Sequence, residues 1–257
     1  MKGDYTRFTF RPGKGYTGVR MQQGRVQLDA DWNEQADIQT HLDRTEATDT
    51  IGHAGAPKDA SGFGIAVTPD DADLALSPGR FYVDGVLCEL EAADLAISSF
   101  PSAKEVELEL WPDDDSGLAP GRWAELAADG IPAELHKIAG ADEETRVVTL
   151  GADVSAFDGP ASPTLRPATT FLTQPDLPEP ALTAPGADRT DLVYLDVWEH
   201  EVTAAEDPYL LEPALGGADT ATRTRTVWQV RVEEGVTATD CGDVAGFPPA
   251  PSGARPS

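Results

Sequence analysis

The sequence predicts an α+β protein, mainly β: an N-terminal arm and one amphipathic helix, then an antiparallel β domain with long Pro/Gly-rich loops. Three observations carry this. The 257 residues hold 21 prolines and 24 glycines, which favour turns and short strands over long helices. Segments of alternating or β-branched apolar residues recur at 79–91, 105–111, 191–203 and 222–233. One stretch only, 29–50, combines acidic cap candidates with apolar spacing of helical period. With 40% hydrophobic residues the chain can bury a real core, so wholesale disorder is excluded.

In chain order, residues 1–20 form an aromatic arm with Tyr5, Phe8, Phe10 and Tyr16, fitted either to its own domain or to a neighbour. In the helix, Asp29 or Asp31 is positioned to cap the first turn, because a carboxylate accepts from its orphan N–H groups, and Glu34 stands where a capping box places its acid. Leu28, Trp32 and Ala36 make an i, i+4 stripe, repeated by Ile38 and Leu42, and Gly52 is a suitable stop. Residues 53–76 read as loop with a short strand at 64–68. In GRFYVDGVLCELE, 79–91, Asp84-Gly85 is a favoured hairpin turn, since glycine accepts positive φ. EVELELW, 105–111, alternates as a half-buried strand does, and RVVTL, 146–150, makes another. Between them lies a Gly/Pro/Ala-rich section with a short helix at 122–129, and the proline-rich 158–190 reads as coil or linker. DLVYLDVWEHEVT, 191–203, and TRTRTVWQVRVE, 222–233, are the strongest strands, able to pair with Trp198 and Trp228 near one core. The connection between them is too long for a tight turn. The expected organisation is a docking arm and helix over 1–52, a β-rich domain over 53–235 with an insertion around 98–190, and a Pro-rich tail or linker over 236–257, as at the front of a longer polypeptide.

Charge narrows the function classes. With 45 acidic against 19 basic side chains, formally −26, the chain is not steered towards nucleic acid or an anionic membrane leaflet. The acidity fits a solvated surface or complementarity to a basic partner. The densest basic cluster is Arg11, Lys14, Arg20 and Arg25. Cys88 and Cys241 are too few and too far apart for a disulfide framework or a thiolate metal site. The N-terminus lacks the apolar run of a secretory signal, and no segment has the ~20 apolar residues of a membrane-spanning helix. Synthesis in the cytosol is expected, without direct membrane insertion.

Candidate chemistry is scarce. Asp29-Ala-Asp31-Trp-Asn33 imitates the start of a calcium loop, but Glu34 and Thr40 stand where such a loop requires Gly and a bidentate Glu. Asp113-Asp114-Asp115-Ser116-Gly117 has no Glu at ligand distance, and Gly13-Lys14-Gly15 lacks the spacing of a phosphate loop. His41, His53, His136 and His200 form no metal or triad motif, and no GxSxG elbow is present. The expectation is a non-enzyme with no cofactor and no metal.

Four segments resemble one family: MQQGRVQLDADWNEQ (21–35), GRFYVDGVLCE (79–89), DLVYLDVWEHEVT (191–203) and EPALGGADTATRTRTVWQVRV (212–232). They look like a domain of unknown function found in bacterial proteins encoded near contractile injection systems and phage-tail-like particles, and the resemblance spans the chain except about 98–190. It implies a structural component, such as a baseplate-associated adaptor, cage or fibre-base protein. Partners would be other tail or baseplate subunits, with homo-oligomers of threefold or sixfold symmetry. The location implied is an assembled tail-like particle, outside the cell after release. The family brings no catalytic residues. For the assembly interface the residues chosen are Met21, Gln22, Gln23, Arg25 and Trp32. Trp32 also fits an ordinary core position, and Arg25 a salt bridge with Asp29 or Asp31. The competing reading is a surface- or glycan-binding module of a tail fibre, with Trp111, Trp123 and Tyr209 as stacking candidates; a third is a hydrolase with dispersed carboxylates.

Overall fold

The computed structural model describes residues 3–113, 117–183 and 189–237. Asp114, Asp115 and Ser116 of the acidic loop, Cys241, and the expected Pro-rich tail beyond residue 237 lie outside them. The fold is α+β and mainly β, as predicted. Its regular elements are α1 (Asp29–Ile51) and strands β1 (Ala54–Gly55), β2 (Ile65–Val67), β3 (Leu74–Leu76), β4 (Gly79–Val83), β5 (Val86–Leu90), β6 (Leu95–Ser102), β7 (Glu105–Leu108), β8 (Trp123–Ala128), β9 (Ile131–Asp142), β10 (Val147–Leu150), β11 (Thr164–Ala168), β12 (Leu192–Val202), β13 (Leu211–Glu212), β14 (Ala218–Asp219) and β15 (Arg223–Glu233). No helix is long and apolar enough to cross a membrane among the described residues.

The chain divides into two compact units. The first comprises Met1–Phe63, Pro78–Glu91 and Val197–Trp228. Here α1 starts without a side-chain cap: Leu28 occupies the N-cap, and the Asp29 carboxylate instead accepts from the backbone N–H of Thr6 at 2.9 Å. The expected capping roles of Asp29 and Asp31 are thus corrected, because an apolar residue holds the cap position and Asp29 is turned to the arm. Glu34 likewise accepts from the Thr9 hydroxyl at 2.6 Å rather than closing a capping box. The acids of the first turn still favour the positive end of the helix dipole. The helix ends at Gly52, whose N–H donates to the Thr48 carbonyl at 2.8 Å.

The arm packs on its own helix, out and back. Thr6 and Thr9 meet the first turns of α1, and the Phe10 ring lies 5.7 Å from that of His41. A 3₁₀ turn, Pro12–Lys14, closes on left-handed Gly15, and the returning segment donates from Val19 N–H to Gln35 at 2.7 Å. At the arm's start the Tyr5 hydroxyl lies 2.5 Å from Thr222 and also bonds Glu201.

In the same unit β4 and β5 form the expected hairpin, with Val83 opposite Val86 and Asp84 and Gly85 both at positive φ (48° and 74°). β1 pairs antiparallel on the other edge of β4. Cys88 is fully buried. Trp228 donates its indole N–H to the Glu89 carbonyl at 3.1 Å and meets Phe63 edge-on at 4.9 Å. Trp198 is only half-buried.

The second unit comprises Gly64–Ser77, Ala92–Asp196 and Gln229–Ser257. Its centre is a closed six-stranded barrel in the order β10-β7-β6-β11-β8-β9, with β9 returning to β10. Alternate side chains fill it: Val106 and Leu108, Val148 and Leu150, Ala124 and Leu126, Leu165, and Phe157 from a short 3₁₀ turn. Two expectations are corrected here. The stretch 122–129 expected as a helix forms β8 (Trp123–Ala128) instead: Ala, Glu and Leu favour helix locally, but pairing with both β9 and β11 places Ala124 and Leu126 in the barrel core. The proline-rich 158–190 contributes β11, and Pro167 is accommodated within it. β2 and β3 form a separate hairpin. β12 and β15 pair with each other, and each passes through both units.

Candidate functional site: an exposed arm-and-helix surface

The helix shows how this surface arises. Of its residues only Ala30 and Ile38 are buried. The expected Leu28/Trp32/Ala36 stripe faces away from the core, and Trp32 is 78% exposed. The reading of Trp32 as a core residue is therefore corrected. A helix polar nearly all round is held by few core contacts, and here the arm's hydrogen bonds supply much of the rest.

Met21, Gln22, Gln23 and Arg25 sit on one exposed turn directly before α1, where the Arg25 N–H donates to the Gln22 carbonyl at 3.3 Å and Gly24 adopts φ 71°. Trp32 follows on the outward side of the first helical turns. The Arg25 side chain forms no ion pair with Asp29 or Asp31, which corrects that alternative; Asp29 is engaged by Thr6 instead.

Sequence reasoning missed the extent of the surface. Phe8, Tyr16, Val26, Leu28, Leu42 and Ile51 are exposed as well as Met21 and Trp32, so eight of the fifteen large exposed hydrophobics among the described residues lie within residues 8–51. Three more, Tyr209, Leu211 and Leu215, lie in the connection after β12, also in the first unit. Scattered exposed apolar side chains need no explanation, but their concentration over residues 8–51 makes the arm and helix the candidate surface. The signal available in the sequence was the thin stripe: a helix with so few apolar positions cannot bury two faces.

The electrostatics of the same unit are mostly those of acids. Hydrogen bonds from Thr6 hold the Asp29 carboxyl below the usual range. Burial, and then the neighbouring Glu34 and Glu199 carboxylates, push Asp37 up. Glu199 is itself paired with Arg44. Burial and the hydrogen bond to Glu201 raise Tyr5. Among the described residues no group of three His, Cys, Asp or Glu side chains is placed to hold a metal ion.

The aromatic candidates for stacking fare differently. Tyr209 is 96% exposed, whereas Trp123 is buried in β8 with the Lys137 ammonium 5.4 Å from its ring centroid. Trp111 is half-buried against the barrel core. Trp123 therefore offers no open ring face, being 6% exposed beside Lys137 of β9.

The architecture is that of a mainly β chain with a barrel around a buried core and, in its helix-and-arm segment, large apolar side chains exposed on an otherwise polar surface. The chain belongs to the family of unknown function DUF6519, whose model matches residues 1–122 and 183–245. No curated protein and no solved structure matches the chain.

Proposed function

We propose that the chain is a structural component of a phage-tail-like contractile injection particle, as a baseplate-associated adaptor, cage or fibre-base protein. The observation that carries this is the concentration of exposed hydrophobics over residues 8–51, on a helix with two buried residues. In this reading residues 1–52 dock and 53–235 form the body, with an insertion around 98–190. Partners are other subunits of the tail or baseplate and further copies of the chain, under threefold or sixfold symmetry. The role is mechanical, without catalysis, in a particle assembled in the cytosol and acting outside the cell after release.

The test is incorporation. Met21→Glu with Trp32→Glu should leave the purified chain folded, since both side chains are exposed, and should remove it from isolated particles. Full incorporation of this variant, or absence of the wild-type chain from particles, would overturn the proposal.

A second reading, a surface- or glycan-binding module, is favoured by one residue: Tyr209 presents its whole ring to solvent. Glycan-array binding lost in Tyr209→Ala would support it, and an array without hits would remove it.

A further inference from the structure

The arm is cationic in an acidic molecule. Residues 3–28 hold Arg7, Arg11, Lys14, Arg20 and Arg25 against a single acid, Asp4, while the whole chain is formally −26. All five basic side chains are exposed, and none forms an ion pair or side-chain hydrogen bond among the described residues. Beyond the arm, Arg44, Lys137, Arg146, Arg166, Arg189 and Arg231 are ion-paired, while Lys58, Arg80, Lys104 and Arg122 are not, among the described residues, and lie scattered rather than in one run. The arm's cations thus stand unpaired in a chain with 45 acids.

The second half of α1 has the opposite character. Leu42, Glu46 and Asp49 recur at helical spacing beside Asp43, and all four are exposed. No basic residue occupies the last turn, so Asp49 meets the negative end of the helix dipole uncompensated. Leu42 and Ile51 are exposed there, as Phe8, Tyr16, Met21 and Val26 are on the arm.

We infer that the arm of one copy docks on the second half of α1 of another copy, Arg11, Lys14 and Arg20 against Asp43, Glu46 and Asp49, with apolar side chains between. Resting on the assembly role proposed above, it names the occupant of that surface. A second copy fits where nucleic acid or an anionic membrane does not. The arm alone is positive, and the −26 of the whole repels any polyanion at long range. Two copies repel as well, but that repulsion is screened beyond about 10 Å at 0.1 M salt, leaving the short-range match. The contact is heterologous, arm to helix, so repetition closes a ring or propagates a filament.

The test is a charge swap on the full chain, read by sedimentation velocity at about 0.1 M and about 1 M salt, where screening lengths are about 10 Å and 3 Å. Wild type should self-associate at the lower salt and dissociate at the higher. Arg11→Glu with Arg20→Glu should weaken association at least about tenfold, and Glu46→Arg with Asp49→Arg should do the same. Mixing the two variants should restore it, which also shows both to be folded. A wild-type chain monomeric at both salts, variants that associate as wild type does, or a mixture without recovery would overturn the inference. So would arm-dependent binding of a DNA duplex or of phosphatidylserine vesicles without self-association. Failure here, with the chain still found in particles, leaves the assembly role standing; swap-dependent association of a chain absent from particles fails the assembly role alone.

Discussion

Gln174 bonds both backbone groups of Val230 through one side chain: its Nε2 donates to the Val230 carbonyl at 2.9 Å, and its Oε1 accepts the Val230 N–H at 2.7 Å. The amide thus acts as one residue of a neighbouring strand, completing β15 where no strand lies alongside. Both residues are buried. Gln174→Ala leaves a buried donor and acceptor unmet and should cost about 2–3 kcal/mol in denaturant unfolding. Gln174→Glu, which can accept but not donate when ionised, should not rescue it. An unchanged midpoint in the alanine variant would show that the pairing contributes little.

The DG turn is fixed twice. Gly85 has φ 74°, and a Cβ there would lie 2.5 Å from the Arg44 carbonyl oxygen of α1. Gly85→Ala should therefore combine backbone strain with a backbone clash and lower stability by about 1–3 kcal/mol. Asp84→Asn, which keeps a residue tolerant of positive φ, should be much milder. Thermal unfolding of the two variants compares them directly.

Cys88 should be inert in the folded chain. Burial pushes its thiol up to about 11, so the thiolate is scarce near neutral pH and the sulfur is covered besides. Alkylation with iodoacetamide at about pH 8, followed by peptide mapping, should mark Cys88 only when the chain unfolds. Rapid labelling of Cys88 under native conditions would contradict its burial.

His136 gives the barrel a pH dependence. It is 5% exposed, packs edge-on to Phe157, and has Glu134 at 3.5 Å from its Nε2. Burial lowers its pKa, and the Glu134 carboxylate opposes that effect only in part. The unfolded chain therefore takes up a proton near its ordinary pKa, about 6.5, before the folded chain does. This contribution to stability is full above that pH and shrinks as pH falls towards the folded value. Urea midpoints of wild type should decline below about pH 6.5, and those of His136→Gln should decline less. Parallel pH profiles would show that the imidazole is not responsible.

What the sequence disclosed was what neighbouring residues decide. The β4–β5 hairpin follows from Asp84-Gly85, and α1 from its length and its stop at Gly52. The face that α1 buries did not follow: Ala30 and Ile38 are the buried residues, while the more conspicuous Leu28/Trp32/Ala36 spacing turns outward. β8 was hidden because WAELAA is helix-like alone and becomes a strand only between β9 and β11. The five residues chosen for the interface lie on the exposed surface, yet the cationic and apolar extent of the arm emerges only once its side chains are seen to be exposed. Tyr5 and Glu201, 196 positions apart, could be joined by no local pattern.

The barrel carries a consequence for how such chains diverge. The family match stops at residue 122 and resumes at 183, so β6 and β7 fall inside it and β8 to β11 outside. Splicing the chain at those two points would strip β11 from β6 and β10 from β7, turning a ring without borders into a ribbon with two raw edges. Ribbons of that kind stick to one another. The six strands therefore stand or fall together as one ring, although the family match covers only β6 and β7 of them.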